Sequence, residues 1–168
     1  MGKTILILGG CKSGKSSAAL SMAKDYKNKT YLATCDPQDE EMKERVRRHI
    51  EERGKEWGLV EEPLEIQAVF HSCKADVLLL DCVTLWISNL LMEKRDPLTE
   101  TDSLLASLRH FKGTAILVSN EVGQGIVPEN ALARRFRDAA GMINQKLAAF
   151  AGEVVFVTAG IPKYLKKM

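Results

Sequence analysis

Residues 9–16 read Gly9-Gly10-Cys11-Lys12-Ser13-Gly14-Lys15-Ser16 and follow directly on the apolar run Ile5-Leu6-Ile7-Leu8. This is the phosphate-binding loop pattern, G-x-x-x-x-G-K-[ST], and it constrains the fold more than any other feature of the chain. It requires a buried strand before it and a helix after it. The run Ser17-Ala18-Ala19-Leu20-Ser21-Met22-Ala23-Lys24 is compatible with that helix. Glycines let the backbone curl until successive N–H groups point at one anion. The helix N-terminus adds unpaired donors and a partial positive charge. Lys15 then reaches the terminal phosphates, and the Ser16 hydroxyl is placed to ligate Mg²⁺. The expected ligand is a nucleoside triphosphate. A plain glycine turn between a strand and a helix would not need all eight positions.

The rest of the chain supplies a sheet for that loop. Strands are expected at 29–34, 76–82, 114–119 and 153–158. The last three are continuously apolar (Val77-Leu78-Leu79-Leu80, Ala115-Ile116-Leu117-Val118, Val154-Val155-Phe156-Val157), the mark of parallel strands buried on both faces. Helical patterns lie between them. Residues 39–53 carry Met42, Val46 and Ile50 at fourfold spacing. Residues 83–93 and about 100–111 form two further candidates, separated by Asp96-Pro97. The longest runs from about 130 to 150, with Leu132, Phe136, Ala140, Ile143, Leu147 and Phe150 on one stripe. Alternating strands and helices predict an α/β fold, P-loop NTPase-like (RecA-like), with a mostly parallel sheet and helices on both faces. Its 168 residues suit a single nucleotide-binding domain, 1–168. The basic tail from Lys163 to Met168 reads as a solvated end.

Composition excludes several function classes. A formal charge of +2 is too small to bring nucleic acid by bulk electrostatics. No apolar run approaches the ~20 residues that span a bilayer, and the N-terminus shows no signal-peptide pattern. Cys11, Cys35, Cys73 and Cys82 lack C-x-x-C spacing, so neither a zinc site nor a redox pair is indicated. Cys82 continues an apolar run and reads as a buried small side chain. These features favour a reducing cytoplasm.

In such sheets ligands sit beyond the carboxyl ends of the strands. That places Ala33-Thr34-Cys35-Asp36, Asp81, Asn120-Glu121 and Ala159-Gly160 beside the triphosphate. Asp81 ends a buried strand, where a carboxylate supports Mg²⁺ directly or through water; its alternative role is to cap the helix at 83. Glu121 fits a general base, a metal-water ligand or a structural acid. The stretch 122–130 (Val-Gly-Gln-Gly-Ile-Val-Pro-Glu-Asn) reads as a shaped loop, with Glu129 or Asn130 as a helix cap.

Of the three histidines, His110 sits near a helix end and His71 in an apparent loop. His49 lies on the helix 39–53, beside the apolar stripe and among Arg45, Arg48 and Arg53. It fits a helix-face residue, or a nucleophile toward an α-phosphate that the arginines hold. The arginines also fit as helical ion-pair partners of Glu41, Glu44, Glu52 and Glu56.

Taken together these residues resemble the bifunctional adenosylcobinamide kinase/adenosylcobinamide-phosphate guanylyltransferase family of cobalamin biosynthesis. The likeness rests on the loop 9–16, on Tyr31-Leu32-Ala33-Thr34, and on Asp39-Glu40-Glu41-Met42 through Arg45 and His49 to Trp57. Its most selective part is Ser119-Asn120-Glu121-Val122-Gly123-Gln124-Gly125-Ile126-Val127-Pro128-Glu129-Asn130. That part runs on to Arg134, Phe136, Arg137-Asp138, Gly141, Asn144 and Gln145. The resemblance implies that His49 takes GMP from GTP, with Lys15 as the other catalytic residue. It implies nucleotide contacts from the loop 9–16, Ala33, Thr34, Cys35, Ile50, Glu51, Glu52, Arg53, Glu61 and Asp81, with Ser16 and Asp81 on Mg²⁺. It further implies ATP and GTP as substrates, a corrinoid acceptor, and a homo-oligomer, a trimer by likeness. The chain departs from the pattern at Cys35, often Ser in relatives, at Asp81, where some have Glu, and in its shortness between Pro97 and Phe111. Two rival readings are a P-loop small-molecule kinase without a histidine adduct and a non-enzymatic nucleotide switch.

Overall fold

The structure, a computed structural model, describes residues 2–35 and 56–167. One seven-stranded sheet organises them, in the order β3-β2-β4-β5-β1-β6-β7. The strands are β1 (Thr4–Gly9), β2 (Lys29–Ala33), β3 (Trp57–Glu61), β4 (Val77–Asp81), β5 (Thr114–Asn120), β6 (Glu153–Thr158) and β7 (Ile161–Lys167). The first six are parallel, and β7 returns antiparallel to β6. Five described helices connect them: α1 (Lys15–Met22), α2 (Ile66–Ser72), α3 (Val83–Met92), α4 (Pro97–His110) and α5 (Ala131–Phe150).

Side chains alternate across a strand, and here both sets are apolar. Ile5 and Ile7, Tyr31, Val77 and Leu79, Ile116 and Val118 face α1, packing on Ala19 and Ala23. Leu6 and Leu8, Leu32, Leu78 and Leu80 face the other way, onto Phe70, Trp86, Leu104 and Leu147 of the remaining helices. Trp86 is fully buried, and its indole N–H donates to the Leu64 carbonyl at 2.8 Å. Burial of one such side chain contributes about 3 kcal/mol. Helices therefore cover both faces, as the continuous apolar runs predict.

Four expectations change. The segment 57–61 forms an edge strand and 66–72 a short helix, so His71 lies in α2 and not in a loop. The two helices expected about Asp96-Pro97 are separate, but the second starts at Pro97 and not near 100: Asp96 caps α4 by accepting from the Thr99 amide at 3.0 Å, and Pro97 takes the first helical position. On α5 Leu132 leaves the apolar stripe, with half of its surface exposed. The basic tail is not a free end. It pairs along β6 as β7, entered through Ala159 and Gly160, both at positive φ. The helix expected at 39–53 lies outside the described residues.

Candidate functional site: the phosphate-binding edge of the sheet

The loop after β1 is built by steric exclusion. A Cβ on Gly9 would stand 2.4 Å from the Val157 carbonyl oxygen and 2.6 Å from Ser13 Oγ. Gly14 adopts φ 96° as the N-cap of α1, and a Cβ there would stand 3.0 Å from Gly160 Cα. Only glycine meets both demands. The Gly160 amide donates to the Ser13 carbonyl at 2.8 Å, tying the β6–β7 turn to the loop. Lys15 is buried, and its ammonium donates to the Gly10 carbonyl at 2.5 Å and to Ser13 Oγ at 3.5 Å. Desolvation by burial lowers its pKa, against the pull of the nearby Asp81 carboxylate. The ammonium thus lies folded over the loop that a triphosphate would enter.

The opposite wall comes from β2 and β4. Ala33 is in register with Asp81 on one side and with Glu61 on the other. Asp81 does not cap α3: the N-cap is Cys82, with no side-chain cap. Its carboxylate instead accepts from the Tyr31 hydroxyl at 2.6 Å. Thr34, fully buried, accepts the Cys82 N–H at 3.0 Å and donates to the Cys82 carbonyl at 2.9 Å. The Cys82 thiol sits inside, and burial pushes its pKa up to about 11. β5 lies between β4 and the loop strand. Its last residue, Asn120, donates through Nδ2 to Thr84 Oγ1 at 3.0 Å. Asn144 of α5 accepts from Ser119 and donates to the Asn120 carbonyl. Glu121 joins this edge through its amide, which donates to the Gly9 carbonyl at 2.9 Å, while its carboxylate accepts from the Gly123 amide at 2.7 Å. That second bond shapes the 122–130 loop. Asn130, rather than Glu129, caps α5.

Among the described residues no group of three or more His, Cys, Asp or Glu side chains gathers for a metal. Ser16 and Asp81 offer hard oxygen donors, which suit a magnesium ion that brings phosphate and water oxygens with it.

Comparison with known proteins decides what this edge belongs to. The family model for cobinamide kinase / cobinamide phosphate guanyltransferase matches residues 5–165. The chain belongs to that family. It is 42% identical to the bifunctional adenosylcobalamin biosynthesis protein CobP of Pseudomonas aeruginosa, over 96% of both chains. It is 38% identical to the bifunctional protein CobU of Escherichia coli, over 96% of this chain and 99% of that one. The CobU protein of Salmonella typhimurium is 37% identical over the same shares. Two solved structures share the fold at 16% identity. They are the flagellar accessory protein FlaH of Methanocaldococcus jannaschii (TM-score 0.57, 98% of this chain and 78% of that one) and the KaiC-like protein PH0186 of Pyrococcus horikoshii (0.53, 92% and 70%). Membership makes the chain an enzyme, a cobinamide kinase and cobinamide phosphate guanylyltransferase, on a RecA-like P-loop scaffold.

In this cobinamide kinase the carboxyl edge of the sheet gathers Gly9 through Ser16, Ala33, Thr34, Glu61 and Asp81 from four strands. Glu61 is the outlier: four strand spacings, about 19 Å, separate β3 from β1. Cys35 follows Thr34 on the same edge. Asp36, His49, Ile50, Glu51, Glu52 and Arg53 lie outside the described residues. Tyr31, Thr84, Asn89 and Asn144 were not expected at the site. Asn89 Nδ2 donates to the Thr34 carbonyl at 2.8 Å and to the Pro63 carbonyl at 3.0 Å. None of the four stands out in the sequence; even Tyr31 shares its strand, Lys29-Thr30-Tyr31-Leu32-Ala33, with two other polar side chains.

Proposed function

We infer that one nucleotide-binding domain, residues 1–168, carries out both reactions of the family in cobalamin biosynthesis, where the curated relatives' names place them. In the kinase step the terminal phosphoryl group of ATP or GTP passes to the aminopropanol hydroxyl of adenosylcobinamide. The hydroxyl oxygen forms the new P–O bond, its proton leaves, and the nucleoside diphosphate departs. In the guanylyltransferase step a ring nitrogen of His49 bonds to the α-phosphorus of GTP and pyrophosphate leaves. A phosphate oxygen of adenosylcobinamide phosphate then displaces the histidine, giving adenosylcobinamide-GDP.

The observation that carries this reading is the juxtaposition of a buried Lys15 over the loop with Asp81 at the end of β4, two strands over from β1. Loop amides and Lys15 would bind the β- and γ-phosphates and stabilise charge on whichever oxygens leave. Ser16 and Asp81 would hold Mg²⁺, which neutralises phosphate charge when bound. Cys35 and Glu61, farther along the edge, fall where the nucleoside end of GTP would lie. Arg45, Arg48 and Arg53 would favour the neutral, nucleophilic form of His49. A homo-oligomer, trimeric by family likeness, is supported by the exposed apolar Ile126, Val127 and Leu132. No helix among the described residues is long and apolar enough to cross a membrane, which is compatible with a cytoplasmic enzyme.

Incubation with α-labelled GTP tests the adduct. Acid-labile label on the wild-type protein, absent from His49→Ala, is the expected result. Full labelling of His49→Ala, or no label on wild type beside steady phosphorylation of adenosylcobinamide, would leave a P-loop kinase that forms no adduct.

A further inference from the structure

The geometry points to Tyr31 and Thr34 as positioning residues for the nucleotide site, acting through Asp81. This rests on the reading of Asp81 as the carboxylate that supports the metal–phosphate cluster. Tyr31 is in register with Leu79, two residues before Asp81 on the neighbouring strand, so its side chain and that of Asp81 share the face covered by α1. The Tyr31 ring is buried and meets Trp57 edge to face, with centroids 6.0 Å apart. Its hydroxyl is thereby delivered from a rigid ring to Asp81 Oδ2 at 2.6 Å, a charge-assisted bond of the stronger kind.

Two consequences follow from that bond. The carboxylate cannot spin, so Oδ1 is left as the acceptor for the phosphate side. The carboxylate is also held off Lys15. Lys15 and Asp81 are close enough to interact electrostatically, yet the ammonium bonds the Gly10 carbonyl and Ser13. An unrestrained Asp81 would be drawn into an ion pair with Lys15 and would compete with the incoming phosphates for it. Thr34 completes the clamp: one hydroxyl holds both the N–H and the C=O of Cys82, and the Thr34 amide donates to the Asp81 carbonyl at 3.3 Å. The chain just after the Asp81 side chain is thus anchored to the end of β2.

The experiment is a Mg²⁺ titration of the binding of an α,β-methylene GTP analogue, which His49 cannot cleave, to the intact protein, read by calorimetry without corrinoid and so without turnover. Four proteins are compared: wild type, Tyr31→Phe, Asp81→Asn and the double variant. Phe keeps the ring on Trp57, so Tyr31→Phe folds with little change in Tm. The Mg²⁺ concentration for half-saturation should rise about tenfold in Tyr31→Phe, the expected cost of one hydrogen bond to a charged group. It should rise in Asp81→Asn, and Tyr31→Phe should add nothing further in that background. Thr34→Val should weaken Mg²⁺-dependent binding, with Thr34→Ser restoring it. If Asp81→Asn shifts the titration while Tyr31→Phe does not, or Tyr31→Phe shifts it equally in the Asn background, the positioning role is overturned and the role of Asp81 stands. If neither variant shifts it, Asp81 does not support the metal and both readings fall.

Discussion

Lys15 shows how a single residue can be legible by type and opaque by state. The loop pattern names it as the phosphate-reaching lysine, but its protonation is set by burial, which lowers its pKa against the pull of nearby negative charge. A bound triphosphate adds negative charge and raises that pKa again, so binding takes up a proton once pH approaches the lowered free-state value. The affinity for GTP should therefore fall as pH rises through that value, starting below the pH at which an exposed lysine titrates. Calorimetric titrations across alkaline pH, in buffers of differing ionisation enthalpy, would show it. A Lys15→Ala variant should bind weakly with a flatter profile. Asp81 is the complementary case. Its position at a strand end was legible, and its partner was not, because Tyr31 lies 50 residues earlier and only strand pairing brings the two together.

At the scale of elements, what was missed shares a cause. β3 (Trp57–Glu61) is a short edge strand whose Gly58 and Leu59 are exposed, so it lacks the continuous apolar run that marks β4 and β5. β7 contains Pro162 and Lys163, Lys166 and Lys167, residues that argue against a central strand and are tolerated on an edge. Its turn is equally disguised. Ala159 at φ 51° and Gly160 at φ 80° occupy the two central positions of a hairpin that usually prefers Asn-Gly. Ala159→Asn should relieve the left-handed strain and stabilise the protein by up to about 1 kcal/mol, visible as a rise in Tm. Because Gly160 donates to Ser13, GTP affinity should be kept; a loss of affinity would show that the alanine conformation itself shapes the loop.

The whole molecule depends on an edge that the chain closes late. Without β7, β6 would present an unpaired backbone beside the strand that carries the loop. Removal of residues 161–168 should lower Tm by several degrees and produce concentration-dependent association on size-exclusion chromatography. An unchanged melting curve would mean that β7 is only appended.

The sequence by itself determined the α/β class, the loop, its lysine and the family, because those are written in contiguous residues whose spacing the chemistry dictates. Tertiary structure alone decided which hydroxyl the Asp81 carboxylate meets, why Gly9 and Gly14 admit no side chain, and how Asn120, Thr84 and Asn144 lock the strand end. Those depend on strand order: β5 inserts between β1 and β4, and parallel register brings together residues dozens of positions apart. No local pattern encodes that order, since the core residues of β1, β4, β5 and β6 are apolar on both faces and would pair with any of the others.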